Sequence, residues 1–287
     1  MINFYNFNHN GDIHVSRTFI KDIIKKIPYE RYTYYHFNSN RLLLDLPIHI
    51  FDIYKTPNSN ITTSTIHTTH FFKNEDIFIN TWYVSNNDNF IKYGCTLQSL
   101  YENFKIVYKD LKIEIEDIEY YIPDINFEKY YIQNIKNYFE NCKFNKKIYI
   151  SNGYVLSGQA NNYNMDYIID DLSTKFKDYL FIISNNTKIK KDNIIESKEI
   201  IQLNDNDLNE NAYLSTYCDV IFGRLSGTHS FSINKANFIT ENKQIFVVDT
   251  SLKEYDFGIS NFIHKNKTIL KIDNNITDNL ESIIKNI

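Results

Sequence analysis

Two short polar turns hold most of the side chains in this sequence that could do chemistry. The first is NGDIHVSR, residues 10–17, with Gly11, Asp12, His14 and Arg17. A carboxylate there can take a proton from a hydroxyl group within hydrogen-bond reach. A guanidinium nearby can grip an acidic group with two parallel bonds. The second is GRLSGTH, residues 223–229. Its backbone N–H groups, the hydroxyls of Ser226 and Thr228, and the charge of Arg224 or His229 suit a diphosphate. A third polar turn carries Asn152, Gly153 and Gly158. Five of only seven glycines fall in these three turns, where positive φ or close backbone approach is useful. The same residues also read as plain helix starts, with Asp12, Ser226 or Thr228 as caps and both arginines in solvent.

Other candidates are weaker. Trp82, the single tryptophan, ends the strand-like DIFINTWYV and reads as a sugar-stacking platform or as core. His67 and His70 would not share a face on an extended chain, so no metal site is assigned. The DND at residues 205–207 precedes a helix and reads as its start. EIEDIEY, residues 114–120, reads as a solvated face. No GxGxxG or GxxxxGK[ST] loop is present, which argues against a simple dehydrogenase or P-loop enzyme.

The elements that must position these turns alternate. Extended runs are expected at residues 2–7, 31–37, 61–70, 76–84, 147–151, 179–184, 200–203, 219–223 and 244–249. Helices are expected at 13–26, 97–111, 127–141, 165–176, 207–217, 228–237 and 277–287, the last two with caps at Ser226 or Thr228 and at Thr277. Residues 42–53 are ambiguous. YLFIIS, residues 179–184, is apolar throughout, as in a parallel strand buried on both faces. The pattern predicts an α/β protein with parallel sheets, its two halves similar units that each open with a strand and a polar, glycine-containing loop. The expected divisions are residues 1–125, a connector helix at 126–146, and 147–287. Ligands of such sheets bind beyond the carboxyl ends of the strands, where the three turns fall.

Composition narrows the function classes. Hydrophobic residues make up 43% and charged residues 23% of 287, so a core is expected. Net charge is −4, with no basic block, which argues against nucleic acid as a partner. Three separated cysteines suit a reducing compartment. No apolar run reaches the ~20 residues of a membrane span, and no signal peptide is evident. The expected location is cytoplasmic, free or at the periphery of a membrane.

In order of elements the chain resembles the heptosyltransferase group, glycosyltransferase family 9, of GT-B fold, which implies an α/β protein of two Rossmann-like domains with parallel sheets facing a cleft. The resemblance is carried by NGDIHVSRTFIKDI at the start and GRLSGTHSFSINKA late in the second half. The usual Trp-Pro pair and basic residue after the first strand of the second half are absent, and GQANNYNMDYI stands there. The resemblance implies an inverting, metal-independent transferase without a cofactor, using a nucleotide-diphosphate sugar and a glycan or lipid-linked acceptor. It implies that Asp12 is the base. Asn152, Gly153, Arg224, Ser226, Gly227, Thr228 and His229 would hold the donor, and Gly11, His14, Arg17 and Trp82 would face the acceptor. A nucleotide-sugar epimerase of the same fold and a non-catalytic binding or assembly protein are the alternatives.

Overall fold

The computed structural model describes residues 1–82, 96–155, 162–224, 226–240, 243–249, 267–271 and 275–286. The described residues form two compact units, divided between residues 125 and 126. Each is an α/β layer built on a mostly parallel sheet.

The first unit contains strands β1 (Ile2–Tyr5), β2 (Tyr32–His36), β3 (His49–Asp52), β4 (His70–Lys73) and β5 (Asp76–Asn80), and helices α1 (Asn10–Lys26) and α2 (Thr96–Asp110). The sheet order is β3-β2-β1-β5-β4; all pairs are parallel except β4 with β5. Side chains alternate across it. Tyr5, Tyr35, Ile53, Ile61 and Phe78 cluster together in the core. Beside the sheet, α1 buries Phe19, which stacks on Phe104 of α2 at 4.3 Å and on Tyr121 at 4.1 Å. Chain order reverses at β1, between β2 and β5.

The second unit contains β6 (Lys146–Ser151), β7 (Tyr179–Ile183), β8 (Ile194–Glu196), β9 (Val220–Gly223), β10 (Gln244–Asp249) and β11 (Lys267–Lys271). Its helices are α3 (Gln133–Glu140), α4 (Asp166–Lys175), α5 (Ser197–Ile201), α6 (Leu208–Ser215), α7 (Gly227–Ser232), α8 (Lys235–Phe238) and α9 (Ile276–Lys285). The order β11-β10-β9-β6-β7-β8 is parallel throughout. This is the doubly wound 3-2-1-4-5-6 arrangement, with its switch point between β6 and β9. Both faces are buried. Ile148, Ile150, Phe181, Ile183 and Phe222 meet α4 and α9 on one side. Tyr149, Leu180, Ile182 and Ile221 meet Ile135 of α3, α5 and Leu214 of α6 on the other. That is why YLFIIS carries no polar alternation.

Several local expectations are corrected. Residues 200–203, expected as a strand, lie at the end of α5 and beyond it, and the neighbouring strand is β8. A four-residue stretch, Ile200-Ile201-Gln202-Leu203, cannot separate these alternatives by periodicity. The single helix expected at 127–141 is a 3-10 turn, Phe127–Lys129, followed by α3. The helix expected at 228–237 is two short ones, with Asn234 capping the second through the Asn237 N–H at 3.1 Å. Residues 65–67 form a 3-10 turn inside a stretch expected to be extended. Thr277 lies within α9, whose cap position is Asn275. Gly158 and residues 83–84 lie outside the described residues.

Gly223 lies at a close contact between two strands of the second sheet. It pairs with Ser151 across β6 and β9. A Cβ at 223 would stand 2.2 Å from the Ser151 carbonyl oxygen and 2.6 Å from its Cβ. The strands cannot keep this spacing with any side chain there. We expect Gly223→Ala to lower stability by about 2 kcal/mol or more, measured by urea unfolding. The matching substitution Gly227→Ala, with nothing within 4 Å, is expected to cost little. Equal effects would contradict this account of the strand contact.

Candidate functional site

Gly11 and Asp12 follow the carboxyl end of β1, at the switch point, and Trp82 follows that of β5, whereas His14 and Arg17 lie farther along α1. The helix begins at Asn10, three residues earlier than expected, so Gly11 and Asp12 lie inside its first turn. Asp12 occupies the third helical position and accepts a hydrogen bond from the His9 backbone N–H at 2.9 Å. This is the acidic half of a capping box, so the capping reading holds. Asp12 is half-buried. Burial pushes its carboxyl up to about 7, against the lowering effect of the His9 N–H. A base with that pKa is matched to proton transfer near neutral pH.

Behind Asp12 lies a polar cluster that the sequence reading missed. The Tyr34 hydroxyl is 2.6 Å from Thr81 Oγ1, which also accepts from Asn6 Nδ2 at 3.3 Å. Thr81 is also placed to donate to the Tyr5 carbonyl at 3.3 Å. Ser16 of α1 bonds to Tyr34, and the Asp12 charge helps to raise the Tyr34 pKa. That places Tyr34 on the α1 side of the sheet. The His36 ring follows, 5.1 Å from the Tyr34 ring. A polar residue ending the buried run YTYYH was the available sequence signal.

His14 and Arg17 are wholly buried. Arg17 is committed within the protein: Nη1 reaches both oxygens of Asp45, at 3.1 and 3.2 Å, and Nη2 bonds the Leu42 carbonyl. The guanidinium thus ties α1 to the 3-10 turn Asn40–Leu43. Trp82 follows Thr81, half-buried, with its N–H bonded to Asn80 Oδ1 at 3.0 Å.

In the second unit the expected donor residues converge at the switch point. Asn152 and Gly153 follow β6; Arg224, Ser226, Gly227, Thr228 and His229 follow β9. Leu225 lies outside the described residues. Ser151 and Ser226 hydroxyls are 3.1 Å apart. Ser226 caps α7 by accepting from the His229 N–H at 3.4 Å. A Cβ built on Gly153 would stand 3.4 Å from Thr228 Oγ1 and 3.7 Å from Ser226 Oγ. The β6 and β9 turns therefore touch, and they bring hydroxyls and bare backbone together. At six residues α7 carries a short dipole, so these groups matter more than the helix end.

Arg224 is nearly fully buried. Its Nη1 bonds the Asn152 and Gly153 carbonyls at 2.6 and 3.1 Å, and Nη2 bonds the Tyr163 carbonyl. The rings of Tyr154 and Tyr163 flank it at 5.2 and 5.1 Å. It shapes the turn after β6 and presents the exposed Tyr154 at that edge. Asn152 Oδ1 accepts from Asn185 N at 2.8 Å, joining the β6 and β7 turns.

No family model matches the sequence, and no curated protein does. Solved structures do. The chain is similar to the ADP-heptose lps heptosyltransferase II of E. coli, with 10% identity, TM-score 0.51, and 100% of this chain and 99% of that one covered. It is similar to a glycosyltransferase of family 9 from Veillonella parvula, with 10% identity, TM-score 0.52, and 100% and 89% covered. Another match, TibC from enterotoxigenic E. coli (10% identity, TM-score 0.48, 95% and 63% covered), is an iron-containing dodecameric glycosyltransferase. The iron named for that protein stands against the expectation that no cofactor or metal is required. Among the described residues no group of three or more His, Cys, Asp or Glu is placed to hold a metal ion. No helix among them is long and apolar enough to cross a membrane. The fold is that of the GT-B glycosyltransferases, of the kind seen in the heptosyltransferases.

Proposed function

We propose that this protein transfers a sugar from a nucleotide-diphosphate sugar to a hydroxyl group of a glycan or lipid-linked acceptor. The observation that carries this is the coincidence of both chemical turns with the switch points of their sheets, where α/β folds bind ligands. Asp12, with its pKa near 7, takes the acceptor proton. The acceptor oxygen bonds to the anomeric carbon as the bond to the diphosphate oxygen breaks. The nucleoside diphosphate leaves with the electron pair, and configuration inverts. Ser226 and Thr228 hydroxyls and the bare backbone at Gly153 and Gly227 receive the diphosphate. The likeness to an ADP-heptose transferase supports this reading.

The test is a melting-temperature panel of ADP, UDP, GDP and their sugars. A ligand of the native state raises the midpoint, by about 2.7 kcal/mol of stabilisation at a hundred times Kd. We expect one nucleoside diphosphate and its sugars to do so. Silence across the panel at millimolar concentration removes the donor assignment. A second reading, a binding or assembly protein without turnover, is favoured by the commitment of Arg224 to carbonyl groups. It predicts nucleotide-sugar binding with no release of nucleoside diphosphate.

A further inference from the structure

Among the buried polar atoms of the first unit without a hydrogen-bond partner are His36 Nε2, at the end of β2, and Asn10 Oδ1, at the start of α1. Their chemistry is complementary. The Asn38 backbone N–H donates to His36 Nδ1 at 2.9 Å. Nδ1 is therefore the acceptor nitrogen, and the ring proton sits on Nε2. Burial pushes the His36 pKa down to about 4, with Asp52 opposing, so the ring is neutral near pH 7. His36 thus offers one donor, and Asn10 offers one acceptor. Their turns are stitched together: Asn38 Nδ2 donates to the Asn8 carbonyl at 2.9 Å, and Asn8 N–H donates to Asn6 Oδ1 at 2.7 Å. Asn10 opens α1 two residues before Asp12, and His36 packs on the Tyr34 ring.

A buried donor and a buried acceptor left unmet on turns that are hydrogen-bonded to each other call for an explanation. Vicinal hydroxyls of a sugar each donate and accept, so they satisfy both atoms. A carboxylate or phosphate would meet Nε2–H but would set its charge against the Asn10 carbonyl oxygen and the Asp12 carboxylate. The cation that could have attracted an acid, Arg17, is forked on Asp45.

We propose that His36 and Asn10 form a hydroxyl-reading subsite and that the acceptor is a neutral sugar rather than an acidic one. The acceptor role rests on the transferase reading above. A sugar enters by parting the Asn38 to Asn8 bond, which joins two half-buried turns. Its hydroxyls then accept from His36 and donate to Asn10, with a further hydroxyl left for Asp12.

The test is saturation-transfer NMR with D-glucose, D-galactose and D-mannose against D-glucuronate and D-galacturonate. The variants are His36→Phe, His36→Gln and Asn10→Ala, and the nucleotide melting shift is measured on each. We expect a neutral sugar to give signal several-fold above the uronates. His36→Phe and Asn10→Ala should lose most of it, and His36→Gln, whose amide places an N–H near the Nε2 position, should keep much of it. His36→Phe should also melt higher than the wild type, since it removes an unmet donor. Uronates binding as well as neutral sugars, no neutral sugar binding, or Asn10→Ala and His36→Phe binding undiminished would each overturn the proposal. If His36→Phe does not fold, Asn10→Ala decides. A nucleotide shift without sugar binding sinks this subsite and leaves the transferase reading. Sugar binding without any nucleotide shift does the reverse.

Discussion

Replacing Asp12 with Asn should lower turnover by roughly 10²–10⁴-fold, the usual contribution of a positioned general base, while donor binding stays within a few-fold. Asn keeps an oxygen for the His9 N–H, so the start of α1 survives. The wild type should show kcat/KM rising with pH and levelling off near 7, where Asp12 loses its proton. The variant should lack that limb. Stability gives a second readout. The folded pKa of Asp12 lies above the ordinary 3.8, so between these values the native state holds more protons than the unfolded chain. Wild-type stability therefore falls as pH rises through that window. Asp12→Asn cannot titrate. Relative to the wild type it should gain stability from pH 4 to pH 7 and hold that gain above. Unchanged turnover would remove the base assignment, and a stability difference flat in pH would remove the raised pKa.

The units divide the proposed chemistry according to what each sheet edge offers. The first presents a carboxylate that burial keeps basic, backed by hydroxyls and amides. The second presents hydroxyls and unshielded backbone at a strand contact that only glycine permits. The first edge suits deprotonating a hydroxyl and the second suits receiving a leaving diphosphate. This complementarity gives the fold likeness chemical content, since a GT-B fold alone does not set a reaction.

Much of this was legible in the sequence, for a physical reason. Glycines are scarce here, and Gly223 survives where strands touch. Doubly buried strands carry unbroken apolar runs, so β7 announced itself. The partners of the arginines were not legible. Arg17 meets Asp45 across 28 positions, and Arg224 meets carbonyls 61 to 72 positions away. Nothing local separates a guanidinium aimed at a ligand from one aimed at its own chain. His36 was hidden for the opposite reason. Its importance lies in a missing bond, which only coordinates reveal. Short segments such as β8 and α5 failed because three to five residues repeat neither period often enough to tell strand from helix.

Arg17 also carries the largest stability effect we expect. Its side chain and that of Asp45 are 0% and 2% exposed. Replacing Arg17 with Met should cost about 3–5 kcal/mol, because it strands the Asp45 carboxylate in the interior. Much of that loss belongs to the stranded charge rather than to the value of the pair. The double variant Arg17→Met with Asp45→Leu should therefore recover most of it. If Arg17 instead served the acceptor, the single variant would raise KM with little change in stability. Urea unfolding of both variants, beside their steady-state kinetics, separates these. The ion pair predicts a large fall in midpoint for the single variant and recovery in the double. It also predicts that any kinetic defect tracks the displacement of α1, and so of Asp12, appearing in kcat rather than in KM.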